Sequence, residues 1–358
     1  MKKFIVIIIL LLLCLTIFGQ GVNFEQLSFD KALTKAKTEN KLVFMDCYTS
    51  WCIPCKLMTE KIFPQKKAGD FFNSKFVCVK FDMEKGEGIE LKKRFNVKSF
   101  PTFFIIRPDG TMQHTVVGRS GIDHFISQIE KGLNEKTSLD YLNKLYEKGK
   151  MNKKQLIAYQ IALLDAYDKA KSAEINEKLK TTLKNKDKLK KEYWPLIENE
   201  SYGSDNFKLV INHIATLKKR VGEEKVYSYL YNTYNKAIDN TMRHNAKESI
   251  ILLNQINQEL VYLDFKKKNQ LMEKLILTKA LLNEDVEKVI SIASQVTSTN
   301  DVWTIVSAMK RLKTKATKEQ LIRMAMLENK FITNDIFKEE EKAYLKTIFE
   351  AFRVAAYK

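Results

Sequence analysis

Cys52 and Cys55 lie three positions apart in the stretch Thr49-Ser50-Trp51-Cys52-Ile53-Pro54-Cys55-Lys56. On a turn that opens a helix, two such thiols close a small disulfide ring reversibly. A cysteine at a helix N-terminus meets unpaired backbone N–H groups and the positive end of the helix dipole, which favour its thiolate. That setting lowers a thiol pKa from about 8.5 to between roughly 3.5 and 7.5. Cys52 is therefore the candidate nucleophile, expected to be exposed, and Cys55, one turn inward, the candidate resolving thiol. Pro54 suits the first helical turn, where a missing N–H is harmless. The same spacing supplies half of a zinc site, which needs two further ligands. Cys47 and Cys78 sit inside apolar runs, and His114, His124, His213 and His244 are scattered. That spacing disfavours a metal centre, and no cofactor is implied.

The elements that must position this pair are legible around it. Leu42 to Tyr48 reads as an apolar strand feeding the turn, broken by Asp46 six residues before Cys52. A helix is expected from the redox turn to about Phe63, with Pro64 stopping or kinking it. Phe24–Leu27 reads as a short edge strand, and Phe29–Glu39 as a helix capped by Ser28. A helical piece at Ala68–Ser74 precedes strand Phe76–Phe81. A polar loop, Glu84 to Gly88, and a short helix, Ile89–Phe95, follow. Pro101 opens a hairpin of 102–107 and 111–117 around Pro108-Asp109-Gly110, and Ile122–Leu133 closes the unit as an amphipathic helix.

Trp51-Cys52-Ile53-Pro54-Cys55-Lys56 after an apolar strand, with Phe100-Pro101-Thr102 before the hairpin, resembles the thioredoxin superfamily over about residues 24–133. Lys56-Leu57-Met58, Ile62-Phe63 and Phe76 to Asp82 look most like its branch of secreted thioredoxin-like proteins and C-terminal domains of transmembrane disulfide reductases. The resemblance implies an α/β thioredoxin-like domain with a central mixed sheet flanked by helices, and thiol–disulfide oxidoreductase activity. It makes Pro101 the family's cis-proline, leaving the Phe100 backbone free to pair with a substrate strand. It makes Asp46 a buried carboxyl of raised pKa that takes the Cys55 proton. Trp51 would shield the disulfide, and Ile53 and Pro54 would line the substrate groove. Cys78 falls where that family often carries a lysine near the carboxylate, so Asp46 is expected to lack an ionic neighbour. Strand alternation sets Cys47 and Cys78 on opposite faces as free thiols. Pro54 before the second cysteine, together with Asp46, favours a reductase over an oxidase or isomerase. Disulfide-containing envelope proteins as substrates and a transmembrane electron donor follow as expected partners.

At 358 residues, a thioredoxin-like unit occupies only the first third. The segment 1–20 begins Met1-Lys2-Lys3 and continues in an apolar run from Phe4 to Phe18, short for a membrane span and sized for a signal peptide. Export to the periplasm or cell envelope is expected, with cleavage after Gly19 favoured over an uncleaved anchor. The expected domains are thus 1–20, 21–134 and 135–358. The last reads as all-helical and solenoid-like, with apolar stripes such as Leu156, Tyr159, Leu163 and Tyr167, or Phe207, Ile211, Ile214 and Leu217. It carries no evident nucleophile–base pair, so partner docking is its natural role. A helical interaction protein whose thioredoxin unit mainly recognises partners is the alternative for the whole chain. The net charge is +18, mostly located after residue 134, where lysines alternate with carboxylates. That interleaving, with the export signal, argues against nucleic-acid binding.

Overall fold

The computed structural model describes residues 21–295, 302–333 and 337–358. The expected export segment 1–20 and a polar turn expected at 297–301 lie outside the described residues. Two compact units divide the chain, the first ending at Lys188 and the second running from Leu189 to Lys358.

Four strands form the sheet of the first unit: β1 (Leu42–Tyr48), β2 (Phe76–Asp82), β3 (Thr102–Ile106) and β4 (Met112–Val117). Their order is β2-β1-β3-β4, with β1 parallel to β2 and the pairs β1–β3 and β3–β4 antiparallel. Nearly every residue of β1 is buried, because helices cover both sides of the sheet. On one face, Phe44, Cys78, Phe103 and Val116 pack with Met58, Phe72, Phe125 and Ile129. On the other, Val43, Met45, Cys47, Val79 and Phe104 pack with Phe29, Ala32, Ala36 and Leu91. Period-two alternation thus separates Cys47 from Cys78, and both are free and buried.

Helix α1 (Phe29–Thr38) starts at Ser28, whose hydroxyl accepts from the Lys31 N–H. Helix α2 (Ile53–Leu57) follows β1, and the chain then widens into a π-turn over Met58–Ile62 instead of continuing as one α-helix to Phe63. Helices α3 (Lys66–Lys75), α4 (Gly88–Arg94) and α5 (Ile122–Leu133) complete the layer structure. The expected edge strand at Phe24–Leu27 is reduced to a single parallel bridge, Phe24 to Cys78, with Glu25 N–H donating to the Cys78 carbonyl at 2.8 Å.

Four further helices belong to the first unit: α6 (Leu139–Glu147), α7 (Lys153–Asp165), α8 (Lys169–Thr182) and α9 (Asn185–Lys188). Polar contacts tie them to the sheet side. The Leu139 N–H donates to buried His114 Nδ1 at 3.1 Å, Arg107 pairs with Asp140 at 3.0 Å, and Lys131 pairs with Asp165 at 2.8 Å. Leu156, Tyr159 and Leu163 are buried along α7. Tyr167 falls beyond the helix end in the left-handed region (φ 56°) and is exposed, so the expected four-residue stripe stops at Leu163.

The second unit is all-helical among its described residues. Its helices are α10 (Trp194–Ile197), α11 (Asp205–Asn212), α12 (Ile214–Val221), α13 (Glu223–Thr241), α14 (Ala246–Tyr262), α15 (Lys268–Leu282), α16 (Val286–Gln295), α17 (Val302–Leu312), α18 (Lys318–Met326), α19 (Glu328–Ile332) and α20 (Glu339–Ala356). The apolar series from Phe207 to Leu217 is split between α11 and α12, because the backbone leaves helical geometry at His213 (φ −135°). Its core includes Val289, Val306, Met309, Leu345, Phe349 and Phe352. No helix among the described residues is long and apolar enough to cross a membrane.

Candidate functional site

The sheet register gathers the site at one end. Tyr48 closes β1 opposite Asp82 of β2, and Thr102 opens β3 opposite Cys47. The loops leaving these three strand ends carry Trp51 and Cys52, Glu84, and Phe100–Pro101. Strand pairing, not sequence proximity, makes them neighbours.

Cys52 occupies the N-cap of α2 with extended backbone, and its Sγ accepts from the Cys55 N–H at 3.1 Å. A sulfur at this position meets the unpaired amides and dipole that stabilise negative charge. Pro54 lies in the first turn of α2, where it displaces no helical hydrogen bond. Cys52 and Cys55 are joined in a disulfide, with Cα atoms 5.3 Å apart. The nucleophile, expected to be exposed, is only 3% accessible, since the closed ring holds its sulfur against the helix start. Its neighbours are open instead: Trp51 is 62% and Ile53 70% accessible. They form an apolar rim around a disulfide that is itself covered.

Trp51 is held from two sides. Its indole Nε1 donates to both carboxylate oxygens of Glu84, at 3.1 and 3.0 Å, and its ring meets Phe100 edge-on at 6.1 Å. The Lys92 ammonium lies 5.4 Å from the Phe100 ring centre. In the sequence, Glu84 is one residue of a polar loop. No local pattern distinguished it from Glu87, since its link to Trp51 spans 33 residues. The Phe100–Pro101 peptide bond is cis, and the Pro101 carbonyl accepts from the Gly118 N–H at 2.9 Å.

Asp46 is 3% accessible, and its Oδ1 has no hydrogen-bond partner among the described residues. It shares the sheet face of Phe44, against which Met58 and Ile62 pack below the redox helix. Burial pushes its carboxyl up to about 7, and the positive charge of Lys80 partly opposes that rise. The expectation that Asp46 lacks an ionic neighbour is therefore corrected. The parallel register sets Lys80, not Cys78, opposite Asp46, while Cys78 pairs with Phe44. Lys80 comes two residues after Cys78 on the same face, so the lysine is present one pleat further along. Burial raises Cys47 well above the ordinary thiol range and Cys78 to about 12, which leaves both as unreactive thiols. Among the described residues, no group of three histidines, cysteines or carboxylates is placed to hold a metal ion.

The family model for a thioredoxin-like domain matches residues 29–133. The chain is 39% identical to Thioredoxin-1 of Drosophila melanogaster over 69 residues, which are 19% of this chain and 60% of that protein. It is 37% identical to an H-type thioredoxin of Oryza sativa subsp. indica over 90 residues, 25% of this chain and 68% of that one. To the thiol:disulfide interchange protein DsbD of Pseudomonas fluorescens it is 28% identical over 81 residues, 22% of this chain and 14% of that protein. The chain thus spans about three-fifths of the first of these relatives. With the Cys52–Cys55 disulfide at a helix start and this sheet order, the chain belongs, through its N-terminal domain, to the thioredoxin family.

Proposed function

We propose that the protein is an exported thiol–disulfide oxidoreductase that reduces disulfides in proteins of the cell envelope. The observation that carries the reading is the Cys52–Cys55 disulfide capping α2, on the sheet side that buries Asp46. Similarity to a protein named for thiol:disulfide interchange supports the same chemistry. The charged start and apolar run of residues 1–20 support export.

In the reduced enzyme, the Cys52 thiolate attacks one sulfur of the substrate disulfide. A mixed disulfide forms and the other substrate sulfur leaves as a thiolate, taking up a proton. The Cys55 thiol then gives its proton to the Asp46 carboxylate and attacks Cys52 Sγ. The second substrate thiol departs and the Cys52–Cys55 disulfide remains. The substrate gains two electrons from the enzyme dithiol, one proton from the solvent and one from Cys55 by way of Asp46. A dithiol donor must restore the enzyme, and outside the cytoplasm its electrons must come through the membrane. Trp51, Ile53, Phe100 and Pro101 form the surface that meets the substrate, and the helical region docks partners.

The test is the reduction potential of the Cys52–Cys55 pair against a dithiothreitol series, with insulin disulfide reduction as the activity. A potential near or below about −250 mV, with activity lost in Cys52→Ala, is the expected result. A value above about −180 mV would overturn the reducing direction and point to an oxidase or isomerase.

A further inference from the structure

The two chain segments that border Pro101 carry cations and no carboxylate. From Leu91 to Pro101 the charged residues are Lys92, Lys93, Arg94 and Lys98, and from Met112 to Ile122 the charged residue is Arg119. Thr102 pairs with Val117, and the Pro101 carbonyl accepts from the Gly118 N–H at 2.9 Å, which sets Arg119 beside the cis peptide. Lys98 comes two residues before Phe100. Lys93 is paired with Glu90 at 2.9 Å, and Arg94 reaches away to the Gly110 carbonyl at 3.3 Å. Lys92, Lys98 and Arg119 form no ion pair among the described residues. The carboxylates at this end of the sheet are engaged: Asp82 with Lys85 at 3.5 Å, Glu87 with the Phe29 N–H at 3.0 Å, and Glu84 with the Trp51 indole.

Lys92 is the member held in place. It is half-buried, and its ammonium lies over the Phe100 ring, 5.4 Å from the centre of the ring that also meets Trp51 edge-on. An ammonium attracted to a ring face has already given up part of its side-chain freedom, so it loses less on meeting an opposite charge.

We propose that Lys92, with Arg119 and Lys98 beside it, selects substrates that carry a carboxylate close to the disulfide they present. The inference rests on the oxidoreductase reading above and names the class of substrate for that site. A segment lying against Phe100 and Pro101 is bordered by these cations, and the apolar rim of Trp51 and Ile53 is indifferent to its charge. An acidic flank is therefore drawn in and a basic flank repelled, chiefly through the rate of encounter.

The experiment uses the full chain, reduced beforehand, in single turnovers with two cyclic disulfide peptides of equal length. One has glutamate on both sides of each cysteine, the other lysine. Acid quenching and chromatography give the second-order rate constant. Lys92→Gln is compared with Lys37→Gln, a change of equal charge on α1 at the opposite end of β1, so the overall charge of +18 acts equally on both. Comparing each peptide only with itself cancels the intrinsic reactivity of its disulfide. The proposal expects Lys92→Gln to slow the acidic peptide at least threefold and Lys92→Gln/Arg119→Gln at least tenfold. The basic peptide should be unchanged or faster, Lys37→Gln should leave both peptides within 1.5-fold of parent, and Lys92→Arg should keep the parent rates. The acidic-peptide differences should shrink between about 20 and 300 mM salt. An equal loss for both peptides, or an effect of Lys37→Gln as large as that of Lys92→Gln, would overturn the proposal while the redox reading stands. A reduced parent chain that reduces neither peptide would sink both.

Discussion

Asp46 and Lys80 face each other across the parallel pair β1–β2, a buried carboxyl and a half-buried ammonium directly in register. Burial dominates, so the carboxyl stays well above its ordinary range despite the lysine. An unfolded Asp46 ionises near 3.8 and the folded one near 7, so the native state holds the extra proton between these values. Stability therefore falls as pH rises from about 4 to 7, and the full penalty persists above 7. Asp46→Asn is expected to raise unfolding free energy by about 2–4 kcal/mol at pH 8. The gain should vanish near pH 3.5, as urea unfolding at the two pH values will measure.

The same pair governs the pH dependence of resolution. Lys80 favours the ionised carboxylate, so removing it raises the Asp46 pKa above about 7. Lys80→Met should shift the alkaline rise of insulin reduction upward by about half a pH unit or more. An unshifted profile would mean that Asp46 does not titrate in the step measured.

His114 should produce an acid limb in stability. It is fully buried, and burial lowers its imidazole from the usual 6.5 to about 4. The unfolded chain binds that proton more readily, so stability declines as pH falls from about 6.5 to 4, by about 3 kcal/mol in all. His114→Gln should flatten this limb in a series of thermal melts.

Gly132 touches the same ring. A Cβ built there would lie 2.6 Å from three His114 side-chain carbons, a rigid neighbour that cannot swing aside. Gly132→Ala is expected to destabilise by about 1–3 kcal/mol. Chemical denaturation checks this, and pairing it with His114→Ala should restore part of the loss.

Glu84 fixes the orientation of an exposed indole. Glu84→Ala removes both hydrogen bonds to Trp51 but leaves the contact with Phe100. Global stability should change by less than about 0.5 kcal/mol, as for other exposed substitutions. Trp51 fluorescence anisotropy should fall, and the KM for a protein disulfide should rise severalfold with kcat little changed.

Residue identity alone determined the redox pair, its helix-capping setting, the strand before it and the hairpin proline, because each rests on contacts within a few residues. Cys52 can cap its own helix, Pro54 can fit its first turn, and Asp46 can stand out from an apolar run without reference to the rest of the fold. The helical character of the chain after residue 138 was likewise readable from its periodicity. Register and burial needed the tertiary structure. Whether Lys80 or Cys78 faces Asp46 depends on how two strands slide past each other, and a shift of two residues leaves the face pattern unchanged. The Trp51–Glu84 bond joins loops at the ends of two strands, so only their pairing brings it about. The attachment of α6 and α7 to the sheet side through His114, Arg107 and Lys131 arises from contacts more than twenty residues apart, which no local pattern encodes.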